Sequence, residues 1–245
     1  MHERELWVTA LFNKYLAGVA EWILSMAGVA VEPAGKPWAN FIVMQFVVAL
    51  VVIAVFAILR PRLSVDRPGK MQHVFEVIYE FIGGQADEVV GHHGRRYVHL
   101  FTTIFLFVLL GNLIGIVPTF ESPTMFPPVP LGIALVTFAY YNLMGFQAQG
   151  VGGYLKHFCG PMPLMAPLMI PIEIISHLGR LLSLTVRLYA NMFAGEQVTL
   201  VFISLVPLVV PAVFMGLHVF VSFLQAFVFA LLTMIYLSSA VSHEH

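Results

Sequence analysis

A chain of 245 residues that is 59% hydrophobic and 10% charged is not an ordinary soluble protein, which carries about a quarter charged residues. Its 12 basic and 13 acidic side chains nearly balance, which excludes a polyanion-binding surface and argues against nucleic acid as a partner; its single cysteine, Cys159, excludes an internal disulfide. Mean hydropathy is +0.88, and the long apolar runs show none of the alternation of a barrel, leaving an all-α polytopic membrane protein in contact with lipid.

The first 39 residues read as an interfacial amphipathic segment. Glu3, Glu5, Lys14 and Glu21 interrupt them, and no small-residue cleavage site follows, so they do not read as a cleaved signal. The first span is expected over Asn40 to Leu59 and ends in "RPR". An amphipathic stretch follows, carrying Arg67, Lys70, Arg95 and Arg96; by the positive-inside rule it is cytoplasmic, with the N-terminus outside. A second span is expected over His99 to Val117, then a Pro-rich outer loop, then a third span over Leu131 to Gln147 closed by a Gly-rich turn. Residues 40–162 thus form peripheral helices and loops within a single membrane domain covering 1–245.

Residues 163–245 hold two longer segments, expected over Pro163 to Phe193 and Gln197 to Ser239. Straight helices of these lengths would measure roughly 46 and 64 Å at 1.5 Å per residue. The hydrocarbon core is only about 30 Å thick. They must therefore tilt steeply, kink or break, with Pro171, Pro207 and Pro211 as causes of kinks. Five crossings place the C-terminus in the cytoplasm, and no repeat relates the two halves.

The first of these segments carries Glu173, His177, Arg180, Ser183, Arg187 and Asn191 at steps of three and four residues. At 100° per residue they fall within an arc of roughly 120°, one face of one helix. Buried polar residues often only join helices. Two arginines, a glutamate and a histidine on one stripe point instead to an ion path, because ionisable groups inside a bilayer face water or a bundle interior. Arginine cannot shed its proton, so Arg187 is a permanent cation. Arg180 is explicable by snorkelling toward an interface. On the second segment His218, Ser222 and Gln225 share one side, with Tyr236 in a similar direction further along. Glu196, at the junction of the two segments, supplies another protonatable group, and Gln225 is placed to position a water or reach Arg187.

The runs "SLTVRLYANMFAGE" and "LHVFVSFLQAFVFALLTMIYLSSA", together with "NLIGIVP", resemble subunit a of the membrane sector of bacterial F-type ATP synthase. The resemblance implies a non-catalytic stator subunit with two aqueous half-channels that couple ion flow to rotation of a ring of c subunits. It implies as partners that ring, the peripheral-stalk b subunits and the remaining synthase subunits, in the bacterial inner membrane. Arg187 matches the essential arginine facing the ring. Asn191, Glu196, His218 and Gln225, with Ser222 beside them, match the outer half-channel. Glu173 and Ser183 match positions near the inner one, where His177 and Arg180 also fall; relatives carry lysine at the Arg180 position, and His177 has no clear counterpart. The order of acid and histidine looks bacterial. The resemblance also implies that the last two helices are long and steeply tilted.

A stand-alone ion channel or secondary transporter would use the same polar helices, but would conduct without a ring. No cofactor is implied. The chain lacks H-E-x-x-H and G-x-S-x-G, which argues against an intramembrane hydrolase. "GHHGRR" at 91–96 reads as a solvated basic loop rather than a metal site. The coupling ion, H⁺ or Na⁺, is set mainly by the c subunit and is not legible here.

Overall fold

The computed structural model describes residues 5–26, 36–65, 67–91, 94–117, 119–159, 166–205 and 209–241. The described residues are helical throughout, with short connections. Helices α1 (Trp7–Tyr15) and α2 (Ala17–Met26) are followed by α3 (Asn40–Leu59), α4 (Lys70–Val90), α5 (Val98–Leu113), α6 (Pro128–Cys159), α7 (Ala166–Leu205) and α8 (Val209–Val241). Five helical stretches are long and apolar enough to cross a membrane: Asn40–Arg62, Gly94–Ile116, Pro128–Gly150, Pro167–Phe202 and Ala212–Val241. The five expected crossings are therefore present.

At 9 and 10 residues, α1 and α2 are too short to span hydrocarbon. They expose Trp7, Tyr15 and Trp22, residues that favour the membrane–water boundary. α1 is tied to the start of α3. Asn13 donates to the Trp38 carbonyl (3.3 Å) and accepts from the Trp38 amide (2.9 Å), while the Leu6 amide donates to the Asn40 side chain (3.3 Å). Glu5 pairs with Lys36 and accepts from Asn13 (2.9 Å). Lys36, then Asn13, hold the Glu5 carboxyl below its ordinary range.

α4 is amphipathic. It buries Gln72, Ile82, Gly83 and Ala86 and leaves Met71, Val74, Val77 and Phe81 exposed along its other side. Its Ile82 joins the main core, where α5, α6, α7 and α8 meet through Phe101, Phe105, Tyr141, Leu188 and Met234. α8 packs on α5, α6 and α7. Its Ser222, Ala226 and Ala230 are fully buried at intervals of four. Small side chains in such a row let backbones approach where no hydrophobic force drives helices together.

The structure moves two expected boundaries. α6 continues past the Gly-rich turn, but as two helical pieces that meet at Gly150, whose φ of 71° a side-chain-bearing residue rarely adopts. The turn expected from the glycines is thus a single-residue break. α7 does not stop near Phe193; it runs to Leu205, and Glu196 lies inside it rather than at a junction. Between Asn191 and Leu205 there is no proline, and the one glycine, Gly195, weakens a helix by only about 1 kcal/mol, so nothing in the sequence forces the helix to end there. Pro171 sits within α7 without ending it. Pro211 falls in the first turn of α8, where its missing N–H leaves no intrahelical bond unmade. Pro207 lies outside the described residues, as do His92 and His93 of "GHHGRR" and the side chain of Cys159. At 40 residues α7 is about 60 Å long, twice the hydrocarbon thickness, so it must tilt or project beyond it.

The Glu5 pair gives a pH-dependent test. A carboxyl held below its unfolded value stabilises the docked segment above that value, and the effect is lost as pH falls through the lowered folded one. Protection of the α1 amides, measured against the intrinsic exchange rate at each pH, is expected to be high at neutral pH and to fall as pH drops below the usual carboxylate range of about 4. Glu5→Gln should lower that protection at neutral pH and leave it unchanged once Glu5 is protonated; equal protection in both proteins at neutral pH would refute the tie.

Candidate functional site

The stripe on α7 divides in the structure. Its arc is wide enough that its edges meet different surroundings. His177, at one edge, is buried and turned toward α6, where Nδ1 lies 2.8 Å from the Tyr141 hydroxyl. Its Nε2 lies 3.3 Å from a Glu173 carboxylate oxygen. With Nε2 protonated, Tyr141 donates to the ring and the ring donates to Glu173, a continuous chain of three groups. Arg180 lies over the Tyr236 ring of α8, 5.3 Å from its centroid, and Tyr236 is 6.1 Å from Tyr141. These five groups therefore gather α6, α7 and α8 around one polar cluster.

Ser183, Arg187 and Asn191 look the other way. Ser183 and Asn191 are exposed and Arg187 is partly exposed. Arg187 Nη2 donates to Ser183 Oγ at 3.2 Å, and among the described residues no carboxylate pairs with the guanidinium. Around it Val186 and Phe193 are also exposed, while Leu184, Leu188 and Met192 bury an adjoining face of the helix. A permanent cation thus sits on an open, largely apolar face. Gln225 is partly buried on α8, and no hydrogen bond joins it to Arg187 among the described residues.

A third group lies toward the other end of α7. Glu196 and His218 line one cavity of about 230 Å³ with Gly115, Phe120, Thr199 and Met215. His218 Nε2 approaches the Asn112 carbonyl at 3.4 Å. A carbonyl only accepts, so this nitrogen carries the hydrogen and Nδ1 is left as a proton acceptor. Nδ1 lies against Gly195, where an added Cβ would be 3.4 Å away. Glycine there lets α8 bring the imidazole close to α7. Glu121 accepts from the Asn40 side chain (3.3 Å) and is near enough for its charge to act on Glu196.

Asn112 organises this end. Its side chain donates to the Ser222 carbonyl (3.4 Å) and accepts from Thr124 (2.6 Å), and Ser122 links Thr124 to the Gly111 carbonyl (2.7 and 2.9 Å). Ser222 contributes its backbone, while its hydroxyl is buried and makes no hydrogen bond among the described residues. Asn191 does not line the Glu196 cavity. Sequence reasoning passed over Asn112, Tyr141, Glu121 and Gly195. An asparagine inside the apolar second span was the one available signal; the others act only through partners far away in the chain. Among the described residues no three His, Cys, Asp or Glu side chains converge as metal ligands.

Five apolar helices enclosing two polar clusters, with a bare arginine between them, define a polytopic membrane protein built around intramembrane charge. A family model described as ATP synthase A chain matches residues 42–238, so the chain belongs to that family. It is 60% identical to ATP synthase subunit a of Solibacter usitatus, over 96% of this chain and 100% of that relative. It is 47% identical to the subunit a of Koribacter versatilis, over 98% of each. To that of a Sulfurihydrogenibium species it is 42% identical, over 83% of this chain and 98% of the relative. Members of this family are non-catalytic membrane subunits of ATP synthase.

Asn112→Ala removes the partners of Thr124 and of the Ser222 carbonyl together. Interhelical hydrogen bonds in membranes contribute about 0.6 to 2 kcal/mol each. The variant is expected to unfold more easily by about 1 to 3 kcal/mol in detergent denaturation; unchanged stability would show that Asn112 is not the organising group.

Proposed function

We propose that this chain is the stator subunit of an F-type ATP synthase through which ions cross the membrane in two separate half-channels, turning a ring of c subunits. Arg187 is the barrier between them. The observation that carries the reading is the placement of one partly exposed, carboxylate-free guanidinium between two polar clusters on the same helix. Glu196 lies nine residues to its C-terminal side and His177 ten to its N-terminal side, about 14 and 15 Å along the axis. Among the described residues no hydrogen bond connects either cluster to Arg187.

In this mechanism a proton enters from the outer side at the cavity of Glu196 and His218. His218 can take it at Nδ1 while Nε2 stays anchored on Asn112. Ser222, Gln225 and Asn191 lie along the faces leading toward Arg187, where a carboxylate of the ring would be met. Once neutralised, that carboxyl can enter lipid, where the charged form could not. After nearly a full turn it reaches the inner side, near Ser183, and releases its proton toward Glu173, His177 and Tyr141, with Arg180 beside them. Arg187 favours the ionised form of each arriving carboxyl and so drives the proton off before the site passes. Its charge also repels a proton moving directly from one cluster to the other. Each transfer of one charge yields about 2.3 kcal/mol per 100 mV.

The ring is met on the exposed face of Ser183, Arg187 and Asn191. The exposed apolar surfaces of α3 and α4 are available to the peripheral-stalk b subunits. The basic end carrying Arg60, Arg62, Lys70 and Arg95 faces the cytoplasm, and α1 lies on the outer side of the inner membrane.

Arg187→Ala is expected to reduce ion-driven ATP synthesis by reconstituted enzyme to background and to admit passive leak. Arg187→Lys should rescue little, because a lysine in this setting can lose its proton. Glu196→Gln and His218→Ala should each slow proton flux about tenfold or more. Coupled synthesis by the Arg187→Ala enzyme at the normal rate would overturn the barrier role, and normal flux in both other variants would overturn the inlet.

A further inference from the structure

The proton path leaves unused a groove at the basic end of the molecule. α3, the turn Arg60–Arg62 and α4 enclose a cavity of about 550 Å³ whose walls include Phe56, Leu59, Leu63, Phe75 and Tyr79. A second cavity of about 310 Å³ shares Phe56, Phe75 and Tyr79 and continues between α3 and α5 to Val52 and Leu106. From Leu59 to Val52 is seven residues, so the channel descends about 10 Å from the end of the span toward the membrane interior. His99, Thr102 and Thr103 of α5 also border the lower cavity, but most of the wall is aliphatic or aromatic, and a mainly apolar channel opening at an interface has the form of an acyl-chain slot.

Its polar groups identify the head that would accompany the chain. Arg60, Gln72, Glu76 and Glu80 also line the upper cavity, and Arg62 is exposed in the adjoining turn. Gln72 donates to Glu76 at 2.7 Å, and His73 lies 3.5 Å from the same carboxylate. Glu80 and Arg60 make no hydrogen bond among the described residues, whereas Arg95 is held by Asp87 at 2.8 Å. A purely anionic headgroup in the cavity would meet two carboxylates for the one arginine that lines it. A choline head has no N–H to give them. A primary ammonium has three donors, and a phosphodiester matches a guanidinium.

We propose that this groove is a binding site for one phosphatidylethanolamine-type lipid. An acyl chain fills the channel between α3 and α5, the phosphate rests on Arg60, and the ammonium lies between Glu80 and Glu76. The lipid stands in the place of side chains that α3 lacks toward α4 and α5, and ties the first span to the amphipathic helix.

The full-length chain in nanodiscs of equal phosphatidylethanolamine, phosphatidylglycerol and phosphatidylcholine, released into mild detergent for native mass spectrometry, tests this. One retained phosphatidylethanolamine is expected. Glu80→Gln, at an exposed position that the fold does not need, should lower its retention relative to phosphatidylcholine about two- to fivefold, the range of a single exposed ion pair. Thr103→Trp, which fills the channel from an exposed position on α5, should abolish retention of all three lipids. Phosphatidylethanolamine with a photoactivatable acyl chain should label peptides containing Val52 and Leu106. Equal retention of the three lipids, a preference for phosphatidylglycerol, or an unchanged ratio in Glu80→Gln would overturn the proposal. So would crosslinks in the assembled complex showing a protein helix in the groove.

Discussion

A guanidinium that cannot be neutralised is the constraint from which the rest of the molecule follows. Placed in hydrocarbon on a lone helix, Arg187 would be strongly unfavourable. The fold does not resolve this by burying the charge against a fixed acid: among the described residues its hydrogen-bond partner is the hydroxyl of Ser183. A permanent buried pair would need excellent geometry to offset desolvation of both ions. It would also leave the cation spoken for. Instead, the helix is packed by its Leu184, Leu188 and Met192 side, and the arginine stays on the open side.

That choice dictates how the neighbouring polar groups are treated. Those meant to stay fixed are satisfied internally: His177 by Tyr141 and Glu173, Asn112 by Thr124 and Ser222, Arg180 by the face of Tyr236. Each of these ties crosses between helices or closes a helix turn, so the same bonds that meet the demand of a water-free interior also set the helix positions. The groups at the Glu196 cavity differ. Among the described residues the His218 ring is held by one nitrogen, and Glu196 faces open volume. In the proposed mechanism this is the distinction between groups that hold structure and groups that exchange protons.

Much of the fold was legible because bilayer thickness converts composition into helix count. Asn40–Leu59 is an apolar run broken after its first residue only by Gln45, and its bounds follow from residue identity alone. The end of α7 was not legible, because the sequence around Glu196 is polar but contains nothing that stops a helix; polarity suggests a boundary, whereas backbone geometry decides it. The stripe was legible as a periodicity, yet its division was not. Which edge of a 120° arc turns inward depends on α6, and the deciding partner, Tyr141, is 36 residues from His177. Asn112 and Ser222 are 110 residues apart, and no local pattern joins them.

Glycine at 195 shows how these levels connect. On a lipid-facing helix it weakens local propensity and looks like a defect. Its value appears only when α8 is packed: the missing side chain is the space against which His218 Nδ1 rests. α8 can lie that close because Ser222, Ala226 and Ala230 let it settle against its neighbours. Close packing by small residues further along the same side therefore sets the depth of the imidazole. The 230 Å³ cavity beside it is what remains once that depth is fixed. The site is in this sense a consequence of helix packing, and its chemistry rests on residues that carry none themselves.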